Sequence, residues 1–203
     1  MKIEELNDVL KRAFPSEEFL TSIESLSGGL SIDVREGYDF DKIKDYYFKQ
    51  QKPKSADVLF VGNKYVYLIE FKSGFARKES NINLLKAKKE AQRCSIRLKA
   101  CESEMILEKL IMNNECREFE LRYVVVIDYK NDPLGAVEHE IMAISSEGGD
   151  SDDTSEKILL TKEFIDNSIL LYRKEVKGRK IFYDKIDILY DYEYNSNPGK
   201  WVI

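Results

Sequence analysis

The sequence predicts an α/β protein: a central mixed β-sheet flanked by helices, followed by a C-terminal α+β extension. Three observations lead there. Residues 55–74 read as a β-hairpin, residues 79–112 as one long helix, and residues 119–129 as a buried strand. A strand that follows a hairpin and a long helix must return by a crossover, so the sheet has mixed direction. With 43% hydrophobic residues, the 203-residue chain can build a substantial core. The expected organisation is a single domain over 1–203, with a core over about 1–130 and the extension over about 131–203.

The elements follow in order. Ile3, Leu6, Val9, Leu10, Ala13 and Phe14 share a helical stripe that Pro15 and Ser16 end. Ser16 is a candidate cap for a second helix that buries Phe19, Leu20, Ile23 and Leu26 and stops at Gly28-Gly29. A short strand is expected over 30–34, and a helix capped by Asp39 over 39–50. In the hairpin, ADVLFV and KYVYLIEFK flank Gly62-Asn63, a pair suited to a type II′ turn. On the long helix, Leu84, Ala87, Ala91, Cys94, Leu98, Cys101 and Met105 form an expected buried stripe. Residues 162–176 read as a helix, and RKIFYDKIDILYDYEY as one or two strands. The tyrosines at 183, 190, 192 and 194 fit sheet packing better than base stacking. Ser145–Glu156 reads as a solvated acidic loop, without the spacing of an EF-hand.

Several classes of function fall away. No apolar run is long enough to span a bilayer, and MKIEELNDVLKRAF lacks the apolar block of a signal peptide. Cys94, Cys101 and Cys116 are odd in number and have no CxxC spacing, so neither a disulfide framework nor a zinc site is expected. A reducing, cytoplasmic setting is the simplest expectation. His139 is the single histidine, which excludes a site needing two, and a structural or surface role is expected for it. The basic cluster Arg173, Lys174, Lys177, Arg179 and Lys180 reads as a charged turn.

The net charge of −5 is unevenly distributed. From Lys72 to Lys99 there are nine basic and two acidic residues, so this segment carries +7 and the remainder −12. Local field decides where a polyanion lands. Lys86, Lys88 and Lys89 are the expected nucleic-acid contacts, against the plainer reading of a solvated helix face.

The chemistry is concentrated on the hairpin. With Gly62 and Asn63 as the loop, Leu59 faces Val66 and Asp57 faces Leu68. Asp57, Leu59 and Val61 then share a face with Val66, Leu68, Glu70 and Lys72. Asp57 and Glu70 become diagonal neighbours, about 7 Å apart or less at Cβ, and Lys72 lies about 6.6 Å further along its strand. Two carboxylates at that separation can share one Mg²⁺ or Mn²⁺, with the Phe71 carbonyl as a further ligand. Such a metal polarises a phosphoryl oxygen and activates water, while Lys72 orients the water or neutralises charge on the phosphate. The plain alternative is an ordinary ion pair between Lys72 and one of the acids.

Pro53, Asp57, Glu70 and Lys72 together resemble the PD-(D/E)XK nuclease superfamily, in which an Asp is followed by Glu-x-Lys across a hairpin. The specific match covers residues 53–74 and extends to about 99. The resemblance implies a restriction-endonuclease-like core, in the order helix, three strands, helix, strand. It implies a Mg²⁺- or Mn²⁺-dependent nuclease, acting on DNA rather than RNA, with a homodimer or a partner protein as further expectations. It also implies an acid from the first helices, for which Glu4, Glu5, Glu18 and Glu24 all remain open. Gln92 resembles the polar residue that related nucleases place near the phosphate, so the expected catalytic set is Asp57, Glu70, Lys72 and Gln92. Gln92-Arg93-Cys94-Ser95-Ile96 does not continue as the RecB-like branch would. A catalytically silent domain of this fold, binding nucleic acid or protein, is the alternative.

Overall fold

The computed structural model describes residues 1–50, 52–73, 96–129, 175–176, 179–180 and 183–202. The protein is α/β, with a six-stranded mixed sheet flanked by helices.

Helix α1 (Ile3–Ala13) buries Leu6 and Leu10 one turn apart, and Phe14 follows on the same stripe. The predicted second helix is interrupted. It becomes α2 (Ser16–Phe19), a three-residue strand β1 (Leu20–Ser22) and α3 (Ile23–Leu26). β1 pairs antiparallel with β2 (Glu36–Asp39), placing Thr21 opposite Gly37. The edge of β2 offers backbone partners that a short helix cannot match, so the sheet overrides the helical periodicity. Gly28 and Gly29 end the segment at φ of 64° and 91°, as their sequence position suggested.

No strand forms over 30–34. Ser31, Asp33 and Arg35 instead donate their N–H groups to Ser27 Oγ, Ser31 Oγ and Asp33 Oδ1 in succession. These local side-chain acceptors replace a ladder, and the strand begins only at Glu36. Helix α4 (Phe40–Tyr47) is capped by Asp39, whose carboxylate accepts from Lys42 N–H at 2.9 Å.

Strands β3 (Val58–Val61) and β4 (Tyr65–Lys72) form the expected hairpin. β4 then pairs in parallel with β5 (Glu120–Ile127), and β5 in parallel with β8 (Lys185–Tyr190). The strand order is β1-β2-β3-β4-β5-β8, so β4 is internal. The β4–β5 connection contains helix α5 (Ile96–Ile106), which continues as a π-helical turn over Leu107–Ile111. The remainder of the predicted long helix lies outside the described residues.

The face that α5 buries differs from the expected one. Leu98 and Met105 are exposed and Cys101 only partly covered, whereas Ile96, Ala100, Ser103 and Leu107 are buried. The chain contains two candidate stripes here, two residues out of phase and therefore on nearly opposite sides of the helix. The second one wins because it brings Ser103 to the start of β3, where its hydroxyl accepts from Ala56 N–H at 2.7 Å.

In the C-terminal part, β6 (Glu175–Val176) and β7 (Arg179–Lys180) pair antiparallel. This corrects the end of the helix predicted over 162–176; the rest of it, the acidic loop 145–156, His139, Arg173, Lys174 and Lys177 lie outside the described residues. After β8 the chain turns into α6 (Asp191–Ser196), which begins where Glu193 Oε2 accepts from Tyr190 N–H, and then α7 (Pro198–Trp201). Tyr183, Tyr190 and Tyr194 are fully packed, but only Tyr190 lies in the sheet: Tyr183 precedes β8, and the strand predicted through 191–194 is instead α6, which carries the buried Tyr194 and the exposed Tyr192.

Both faces of the sheet are covered. Leu59, Val66, Leu68, Leu121, Tyr123 and Val125 meet α1, α4 and α5. Val58, Tyr67, Ile69, Phe71, Val124 and Val126 meet Ile23, Tyr194 and Val202. Among the described residues no helix is long and apolar enough to cross a membrane.

Candidate active site

The hairpin register differs from the predicted one by two residues. Leu59 stands opposite Leu68 and Val61 opposite Val66, and Gly62 N–H donates to Tyr65 O, so Asn63 and Lys64 form the turn. Among the described residues only Asn113 and Asn114 are non-glycines with positive φ, so Asn63 does not open a type II′ turn. A two-residue slip leaves every side chain on its expected face. The paired register ends at Val58–Ile69, and Asp57, just before it, leaves the regular ladder and donates its N–H to Ile69 O.

Asp57 is fixed by its backbone on both sides. Its N–H donates to Ile69 O at 3.0 Å and its carbonyl accepts from Phe40 N–H at 3.1 Å. Its Oδ2 accepts the Phe71 N–H at 2.6 Å, which leaves Oδ1 facing the neighbouring charges. In an antiparallel ladder a residue's N–H and C=O point to the same neighbour, so the Phe71 carbonyl turns toward the Asp57 side. Glu70 has no exposed surface, and it shares its sheet face with the apolar Leu68 beneath the helical layer.

Two ammonium groups meet these acids. Lys72 Nζ lies 2.5 Å from Glu70 Oε1. Lys99, on α5, places its Nζ 2.7 and 2.9 Å from the two Glu70 oxygens and 3.4 Å from Asp57 Oδ1. Burial and the Asp57 charge push Glu70 up to about 7, against the pull of Lys72 and Lys99. Burial likewise raises Asp57, although Lys99 and the Phe71 N–H oppose it. Burial works to lower Lys99, but the Glu70 and Asp57 charges outweigh it and its pKa is raised.

The sequence therefore located Asp57, Glu70, Phe71 and Lys72 correctly as neighbours and missed Lys99 as a member of the group. The reason is the helix phase: with Leu98, Cys101 and Met105 inward, Lys99 would point elsewhere. A polar pair one turn apart, Lys99 and Ser103, inside an otherwise apolar stripe was the available signal. Gln92, Lys86, Lys88 and Lys89 lie outside the described residues.

A further acid comes from none of the anticipated positions. Glu5 is engaged with the Lys2 N–H at the start of α1, Glu4 and Glu18 are exposed, and Glu24 sits on α3, whose Ile23 packs on the opposite sheet face. Asp41 on α4 is a charge felt by both Asp57 and Lys99. It accepts from Ser55 Oγ and pairs with Lys44, each at 2.5 Å. Among the described residues no group of three or more His, Cys, Asp or Glu side chains converges as a metal cage would. Asp57 and Glu70 supply hard oxygen donors, with the Phe71 carbonyl beside them. This set suits a Mg²⁺ or Mn²⁺ ion that keeps most of its waters, as Mg²⁺ does with one or two carboxylates.

No family model matches this chain, and neither a curated protein nor a solved structure shows significant similarity to it.

Proposed function

We propose that this protein is a Mg²⁺- or Mn²⁺-dependent nuclease of PD-(D/E)XK type that hydrolyses phosphodiester bonds, in DNA rather than RNA. The observation that carries the reading is Asp57 and Glu70 brought together at the end of an internal hairpin, both in contact with the Lys99 ammonium, with Lys72 on the same strand as Glu70 and its ammonium on Glu70. Apart from the short α2, β1, α3 and α4, the order α1, β2, β3, β4, α5, β5, with antiparallel strands followed by a parallel one, supports a restriction-endonuclease-like core.

In this reading Asp57, Glu70 and the Phe71 carbonyl would hold the cation. A bound divalent ion supplies Lewis-acid polarisation of the scissile phosphate and lowers the pKa of water. Asp57 needs no reorganisation, because its other oxygen is already committed to Phe71 N–H. Lys72 contributes a positive charge beside the developing charge on the phosphoryl oxygens and a donor that orients the attacking water. Lys86, Lys88, Lys89 and Gln92 would extend the positive surface toward the nucleic-acid backbone, positioning it without reading sequence.

The test is cleavage of single- and double-stranded DNA and RNA by purified protein in Mg²⁺ or Mn²⁺. EDTA should stop the reaction, and Lys72→Ala should lower kcat by about 100-fold or more while the fold persists. Cleavage indifferent to both changes would remove the reaction from this site.

A second reading has its own observation. The two ammoniums already compensate the two acids without any metal. A silent domain that binds nucleic acid or a protein partner would need no more. Mn²⁺ titration into wild type and Asp57→Asn separates the two: binding that depends on Asp57 belongs to the nuclease reading.

A further inference from the structure

We infer that Lys99 is a tethered counter-ion that occupies the bridging position between Asp57 and Glu70 and must leave it when a divalent cation binds. The inference rests on the metal-site reading of these two acids but not on the identity of the substrate.

The geometry distinguishes the two lysines. Lys72 meets Glu70 at Oε1, from two residues along the same strand. Lys99 reaches in from α5 and spans both acids, contacting both Glu70 oxygens and Asp57 Oδ1. A cation shared by the two carboxylates would use the same oxygens. One of the two must give way, because Asp57 and Glu70 with Lys72 and Lys99 are already neutral together. Adding two positive charges to this site carries an electrostatic cost, and loss of one ammonium removes half of the added charge.

Lys99 is built into its place rather than drifting there. Ser103, one turn further along α5, accepts the N–H of Ala56, the residue before Asp57. Tyr183 Oη donates to the Ala100 carbonyl at 2.6 Å, and Glu102 accepts the Lys54 N–H. α5 is thus tied to the segment entering β3 through Ser103 and Glu102 and to the residues before β8 through Ala100, and its Lys99 is aimed at the acids. The side chain retains 17% exposure, and its flexible four-carbon stem lets the ammonium move while the helix stays fixed. Once displaced, the ammonium stays at the rim of the site, where it would meet an anion arriving with the metal.

The experiment measures Mn²⁺ affinity by isothermal titration for wild type, Lys99→Met and Lys99→Arg. Lys99→Met keeps the stem and removes the charge, and should bind Mn²⁺ about tenfold tighter or more, a gain of about 1.4 kcal/mol. Lys99→Arg should stay near the wild-type value. A folded Lys99→Met, judged by circular dichroism, that binds no tighter than wild type overturns the inference. Wild type supplies a second measurement that needs no variant. Acetylation of Lys99 by acetic anhydride, followed by peptide mass mapping, should rise several-fold in saturating Mg²⁺, with Lys185 as the unchanged reference. Unchanged Lys99 labelling overturns the inference as well. Tighter binding by Lys99→Met without any cleavage by wild type would keep the counter-ion and discard the nuclease. Cleavage with unchanged Mn²⁺ affinity would do the reverse.

Discussion

Glu70 is fully buried among three charged side chains, and its carboxyl is pushed up to about 7 by burial and by Asp57. The sign of the consequence is fixed. An acid whose pKa is higher in the folded than in the unfolded state binds its proton more tightly when folded. Its contribution is complete below about pH 4.5 and is lost as pH rises through about 7, on the order of 3 kcal/mol over that window. Thermal melts in EDTA should therefore show wild type losing stability from about pH 5 to about 7.5, and Glu70→Gln losing distinctly less. Parallel pH profiles for the two proteins would refute this. Glu104 extends the slope: burial and a hydrogen bond with Glu108 push it up to about 8. Glu104→Gln should flatten the last part, toward pH 8. Which residues carry the charge was legible in the sequence, since Asp57, Glu70 and Lys72 follow from strand alternation alone. Their protonation was not, because it depends on burial and on Lys99, whose approach is a tertiary fact.

At the scale of elements, parity protected the hairpin and phase misled the helix. A two-residue slip in an antiparallel pair preserves both faces, so an incorrect turn still brought Asp57, Glu70 and Lys72 together. A helix has no such protection: two residues are about 200° of rotation, and choosing Leu98, Cys101 and Met105 turned Lys99 away from the acids. The two stripes are comparably apolar, and polar contacts, among them that of Ser103 with Ala56 N–H, separate them. That contact makes a prediction. Ser103→Ala leaves the buried Ala56 N–H without its acceptor and should destabilise the protein by about 1–3 kcal/mol in urea unfolding. It should also loosen the aim of Lys99, so a stability unchanged to within 0.5 kcal/mol, roughly the scatter of neutral surface substitutions, would show that α5 is held otherwise. The Asp39 cap was readable because capping is local, and the strand at Leu20–Ser22 was not, because its cause is the edge of β2.

For the molecule as a whole, the α/β class and a mixed sheet follow from the hairpin, helix and strand succession. The second core was less visible, since it depends on a clasp between distant segments. Asp33 is buried, pairs with Arg35 through both oxygens and accepts from Tyr194 Oη at 3.0 Å. Arg35 in turn donates to the Val202 carbonyl. The chain after Gly28-Gly29 is thereby tied to α6 and the residues following α7. Burial works to raise the Asp33 carboxyl, but the Arg35 and Tyr194 donors outweigh it and hold its pKa down. Its contribution is therefore present above about pH 4 and lost as pH falls further. Asp33→Asn should cost about 2 kcal/mol at pH 7, measured by chemical unfolding, with the difference from wild type shrinking at pH 3. An equal deficit at both values would assign the effect to packing instead.

The distance of Lys99 along the chain has a consequence in time. Asp57 and Glu70 meet as soon as the hairpin closes, and Phe71 N–H reaches Asp57 across a separation of 14 residues. Lys99 stands 29 residues from Glu70 and 42 from Asp57, on the connection between parallel strands β4 and β5. Local hairpins close faster than parallel crossovers. The chain therefore passes through a stage in which two carboxylates meet with only Lys72 to offset them, before α5 delivers the second ammonium. Refolding followed by stopped-flow fluorescence should accelerate at pH 5, where a proton fills that role, relative to pH 8. The acceleration should be much smaller in Glu70→Gln, and an identical pH dependence in the two proteins would mean that the acids meet only after the helix has arrived.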